Sequence, residues 1–136
     1  MHESVARAAQ IVSLLDLTSL TGAESGSDID GLCARAESPL GPVAAICVHR
    51  QHLPRVRAGL ERLGLTTVGL ATVVNFPGGG LDEARVVAEI REALALGATE
   101  VDLVFPYREF MSGQTERVRC LLDASRKACH PMTAAA

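Results

Sequence analysis

Three short apolar runs punctuate the chain, Val43–Val48, Thr67–Val74 and Val101–Phe105. Each is bounded by Gly or Pro and rich in β-branched residues, the pattern of a buried strand. Between them the spacing changes to that of a helix. One helical pattern runs from about Leu53 to Leu63, with Pro54 in the first turn, where its missing N–H costs nothing. A second runs from about Leu81 to Leu96, with Asp82 and Glu83 near its start and Gly97 as terminator. A third runs from about Gln114 to Cys129, closed by Pro131. Upstream, Val5, Ala8, Ile11, Val12 and Leu15 predict a helix over residues 4–15. Asp16–Leu20 leaves it for a loop, and Asp28 can cap a short helix over Ile29–Ala36, which Ser38-Pro39 and Gly41-Pro42 end.

Strand and helix alternating at roughly 25–35 residues per unit is the βαβ signature of a parallel sheet. The predicted class is therefore α/β. A fourth strand is due where the chain reaches Ala136, and three parallel strands with two bare edges make a poor domain alone. A barrel adds strands in order, whereas a doubly wound sheet needs them on both sides of the first. The pattern accordingly predicts a partial parallel barrel: N-terminal helices plus the first three βα units, in one domain over 1–136.

Composition sharpens this picture. The apolar content is Val, Leu and Ala rather than aromatic, with no Trp, as suits strands covered by helices. The net charge is −3 and the twelve arginines are scattered, which argues against a nucleic-acid surface. The N-terminal segment is broken by Glu3, Arg7 and Gln10 and reads as an amphipathic helix rather than a signal or a membrane span. Four cysteines without CxxC spacing read as reduced, mostly buried thiols of a cytoplasmic protein.

Candidate chemistry centres on the third run. Alternation puts Val101, Leu103 and Phe105 on one face and Glu100, Asp102 and Val104 on the other. An Asp in mid-strand is costly to bury unpaired. It is either a carboxylate satisfied by a backbone or Arg partner, or a general acid/base pointing into a barrel mouth. The small residues Gly69, Ala71 and Val73 share one parity of the second run and leave room near a barrel axis. Cys47 alternates with Ile46 and Val48 and reads as a small buried hydrophobe. His49 and His52 could share a metal, but no third ligand is near, so no metal is expected. Gly78-Gly79-Gly80 reads as a flexible turn rather than an anion cradle. The single lysine, Lys127, lies half a turn from the apolar stripe Val118, Leu121, Leu122, Ser125 and Cys129, with Asp123 as an exposed partner.

The segments LLDLTSL (14–20), VAAICV (43–48), ATVVNFPGG (71–79) and EVDLVFPYREFMSG (100–113), in this order, resemble the deoxyribose-phosphate aldolase family. The resemblance implies a (β/α)8 TIM barrel and a class I aldolase of deoxyribonucleotide catabolism that uses a lysine Schiff base and no cofactor or metal. Such enzymes reversibly cleave 2-deoxy-D-ribose 5-phosphate into D-glyceraldehyde 3-phosphate and acetaldehyde. It implies Asp102 as the acid/base group, and Asp16, Thr18, Cys47, Val73 and Phe76 as pocket residues. The family's Schiff-base lysine, activating lysine and phosphate loops belong to later strands. The chain is therefore expected to be inactive alone, or to be a non-catalytic relative that pairs its bare edges with another copy. An unrelated α/β binding domain is the third reading.

Overall fold

The computed structural model describes residues 2–130; Pro131 as helix terminator and the segment up to Ala136 lie outside them. The elements are α1 (His2–Val12), β1 (Asp16–Ser19), α2 (Gly26–Ala34), β2 (Glu37–Ser38), β3 (Gly41–Pro42), β4 (Ala45–Val48), α3 (Leu53–Arg62), β5 (Gly69–Val74), α4 (Glu83–Ala95), β6 (Glu100–Leu103), α5 (Tyr107–Met111) and α6 (Thr115–Cys129). A 3₁₀ turn over Arg50–His52 joins β4 to α3.

The main sheet has four strands in the order β1-β4-β5-β6, and each pair is parallel. Each new strand is added beside the last, without the reversal that a doubly wound sheet requires. The sequence reading placed three strands here. The fourth, β1, is the segment read as leaving the first helix. Asp-Leu-Thr-Ser carries no apolar run, and its alternate residues are exposed on the sheet's edge. At the end of α1 the backbone bonds of Leu14 and Leu15 shorten to the third residue back, and the Leu15 carbonyl accepts from Ala44 N–H at 2.9 Å. That contact draws the chain into pairing with β4.

Two smaller differences have local causes. Ser25, not Asp28, caps α2. The Ser25 hydroxyl accepts from Asp28 N–H while the Asp28 carboxylate accepts from Ser25 N–H, so Asp28 is the reciprocal partner of a capping box. The residues expected only to end that helix pair as a two-residue hairpin, β2 with β3.

Helices cover one face of the sheet. Outward residues Ile46, Val48 and Leu70 join Ile29, Leu32 and Cys33 of α2 and Val56 and Leu60 of α3 in the larger core cluster. Val74 joins Val86 and Ile90 of α4 and Leu121 of α6 in a second. Each large side chain fully buried there contributes about 2 kcal/mol. Gly59 of α3 belongs to this packing, since a Cβ on it would lie 2.8 Å from Cys33 Sγ of α2. The α6 stripe holds for Val118, Leu121 and Ser125, but Leu122 is exposed. Lys127 is also exposed, and Asp123 bonds Arg119 at 3.3 Å, the residue four positions before it. No helix among the described residues is long and apolar enough to cross a membrane.

Candidate active site

The other face of the sheet carries most of the residues singled out from the sequence. Strand register places Asp16, Ala45 and Gly69 side by side, then Thr18, Cys47, Ala71 and Glu100, then Val73 beside Asp102. All share the parity opposite to the core-facing residues. Ala45, Cys47 and Ala71 form a small buried cluster with Leu20 and Val73, and no helical residue belongs to it.

Asp102 is exposed on this face, and its Oδ2 accepts from the Cys47 thiol at 3.9 Å. Among the described residues no cation lies within ion-pair distance of it. The Arg-satisfied alternative is therefore not what the geometry presents. Cys47 is 3% exposed, and burial, followed by the charges of Asp102, Asp16 and Glu100, pushes its thiol up to about 11. It is a neutral, weakly donating thiol at physiological pH. Glu100 is a second carboxylate near Cys47. Strand parity placed it beside Asp102, but its position at the strand's start gave no reason to single it out.

Phe76 follows β5 and is 39% exposed, with its ring edge-on to His49 at 5.6 Å between centroids. The turn that carries it is held by Asn75, which sequence reasoning passed over. Asn75 is buried at positive φ, 58°, a conformation Asn tolerates better than most residues. Its side-chain amide donates to Gly80 O at 2.8 Å and Val104 O at 3.0 Å, and its carbonyl accepts from Arg85 at 2.8 Å. Its backbone N–H donates to Glu89 at 2.8 Å. The Asn-Phe-Pro order was the available signal, since Asn tolerates a left-handed turn, and the Phe76–Pro77 bond is cis.

The glycines after it are not simply flexible. Gly79 has φ +71°, and a Cβ there would meet Phe105 O at 2.8 Å. Its N–H donates to Asn75 O, so it is committed within the turn and does not face an anion. His49 Nε2 lies 3.3 Å from Leu20 O, while His52 faces Glu24 at 3.8 Å, so the two imidazoles serve different neighbours. Among the described residues no group of three or more His, Cys, Asp or Glu converges as a ligand set. A polar cleft of about 420 Å³ opens beside β1 and α2. Of the inner-face set it includes Thr18 alone, so Cys47 and Asp102 lie outside it.

The fold agrees with the comparisons to known proteins. The family described as DeoC/LacD family aldolase matches residues 10–133. A deoxyribose-phosphate aldolase of Agrobacterium fabrum is 46% identical over 122 residues, covering 90% of this chain and 46% of that protein. A solved structure provisionally named deoxyribose-phosphate aldolase from Coccidioides immitis superposes with a TM-score of 0.79 at 30% identity, over 90% of this chain and 46% of that one. One from Toxoplasma gondii, provisionally given the same name, reaches 0.81 at 19% identity, over 96% and 48%, and so attests the fold alone. The chain thus spans slightly under half the length of the curated relative it matches. With four sequential parallel strands, one helix-covered face and a family match along most of its length, the chain belongs to the DeoC/LacD family of aldolases.

Proposed function

We propose that this chain supplies the first part of a class I aldolase site acting on 2-deoxy-D-ribose 5-phosphate, with Asp102 as its proton-transfer residue. The observation that carries the reading is Asp102 itself: an exposed carboxylate on the open sheet face, near Cys47 and free of any cation among the described residues. A carboxylate left unpaired beside a neutral thiol keeps its capacity to take and return a proton. Asp16, Thr18, Cys47 and Val73 line the same face, and Phe76 borders it through the loop after β5. The reaction needs a lysine whose amine attacks the sugar carbonyl and loses water to give an iminium. The iminium then accepts the electron pair of the breaking carbon–carbon bond. Lys127, exposed on α6 and remote in sequence from every strand, is not placed for that role. The nucleophile and the phosphate-binding groups therefore come from outside these residues, and the chain alone is inactive.

Two measurements test this. Treating the chain with substrate and borohydride should trap no covalent adduct above background; a specific adduct on Lys127 would overturn the reading. Mixing it with the part of the Agrobacterium relative that it does not cover should restore cleavage. In that mixture Asp102→Asn should lower the rate about 100-fold, the scale of general acid–base catalysis. An undiminished rate would remove Asp102 from the mechanism.

The outer edges of β1 and β6, unpaired among the described residues, favour a second reading, a non-catalytic partner that associates through them. Reading the coding DNA past Ala136 separates the two, since later strand-borne lysines support the first. The four free thiols suit a reducing, cytoplasmic setting.

A further inference from the structure

The loop between β1 and α2 is wrapped around one carboxylate that the aldolase reading does not use. Glu24 Oε1 accepts from the Ser19 hydroxyl at 2.8 Å and from Thr21 N–H at 2.7 Å, and Oε2 accepts from Gly22 N–H at 3.1 Å. Its side chain is only 3% exposed although it sits in a surface loop. The same carboxylate reaches into the next connection. His52 Nε2, on the 3₁₀ turn after β4, lies 3.8 Å from Glu24 Oε2, and the His52 side chain is 17% exposed. Three residues earlier His49 Nε2 lies 3.3 Å from Leu20 O, so the two connections touch twice. His49 in turn presents its ring to Phe76.

Loops at the C-terminal ends of parallel strands carry substrate contacts and work only when a rigid scaffold holds them. Here apolar packing reaches only Leu20 at the start of the loop, because residues 21–23 are all exposed. A shielded carboxylate that accepts three local donors and faces an imidazole of the neighbouring loop supplies the missing rigidity.

We propose that Glu24 is a positioning residue: with His52, it latches the β1–α2 loop to the β4–α3 turn and so fixes the rim of the inner face. The consequence for substrate rests on the aldolase reading, but the latch does not.

Hydrogen exchange read by mass spectrometry on the 136-residue chain tests it. In Glu24→Gln the segments 19–24 and 49–52 should lose protection together, by tenfold or more, while β5 keeps its own. Because Glu24→Gln also alters the bonds within its own turn, His52→Gln is the second variant. It removes none of the three donors to Glu24, yet it should open residues 19–24, since coupling between two sites is reciprocal. Wild-type protection over 19–24 in His52→Gln overturns the latch, as does wild-type protection over both segments in Glu24→Gln. Loss spread equally over β5, or a wild-type chain already unprotected at 19–24, overturns it too. Failure to restore cleavage in the mixing experiment would count against the aldolase reading and leave this result standing.

Discussion

Cys47 and Asp102 constrain each other across the sheet, and their coupling is measurable without any substrate. Burial is the larger cause of the raised Cys47 value and the Asp102 charge the next. At pH 7.5 Cys47 should alkylate about 100-fold more slowly than a thiol of ordinary value, because nucleophilicity follows the thiolate fraction. Exposed Cys120 should react first, and peptide mapping after iodoacetamide distinguishes them. Asp102→Asn should speed Cys47 severalfold and leave Cys120 unchanged; no change at Cys47 would mean the two do not interact. The stability linkage has a definite sign. A folded value raised to about 11 from 9.0 means this contribution is fully present below pH 9 and lost as pH climbs through 11. Asn75 gives the second residue-scale test. Asn75→Ala strands two half-buried carbonyls and puts a Cβ-bearing, non-Asn residue at positive φ, for a loss of about 2–4 kcal/mol. Asn75→Gly keeps the backbone comfortable and should lose about 1 kcal/mol less, so the two melts separate conformation from bonding.

At the scale of elements, α2 and α3 meet at Gly59 and Cys33. Gly→Ala in a helix interior ordinarily gains about 1 kcal/mol. At position 59 the added methyl falls 2.8 Å from a buried sulfur, and overpacking costs about 1–3 kcal/mol, so the net change should be a loss. The double variant Gly59→Ala with Cys33→Ala should recover most of it in thermal melts; an additive result would place the strain elsewhere. The same elements show how much was legible in the sequence. Helices α3, α4 and α6 came from periodicity, and strands β4, β5 and β6 from apolar runs bounded by Gly or Pro, all to within a few residues. Strand β1 was not legible, since its four residues are held by pairing with β4 rather than by a pattern of their own. Helix α5 was hidden for a similar reason, as its aromatic residues lie exposed on one short turn. For the inner face, parity alone put Asp102 opposite Val101 and Leu103 and placed Ala71 and Val73 with Gly69, because the rule of two needs no tertiary information. Asn75 escaped because its role is bonds to backbone groups that the fold brings near, and Glu24 because its bonds close a local turn and its facing imidazole comes from another connection.

At the scale of the whole molecule, layering is one-sided, and among the described residues both outer strands of the sheet are unpaired on one side. Unpaired N–H and C=O rows recruit further strands, so sedimentation should show concentration-dependent association. Dye binding should report apolar surface around Phe105, Phe110 and Met111, which stand 40%, 49% and 81% exposed. A sharp monomeric melt without dye binding would contradict this.

The one-sided layering also separates two kinds of mutational tolerance. Along β4 and β5 the even-numbered residues Ile46, Val48, Leu70 and Val74 face the helices, whereas Ala45, Cys47, Gly69, Ala71 and Val73 face the open side. A saturation library scored for abundance should punish the even positions far more than most odd ones. The same library scored for turnover in the restored enzyme should punish the odd positions too. If the proposed function holds, the difference between the two scores, plotted against residue number, should alternate with a period of two and trace the wall of the proposed site one side chain at a time.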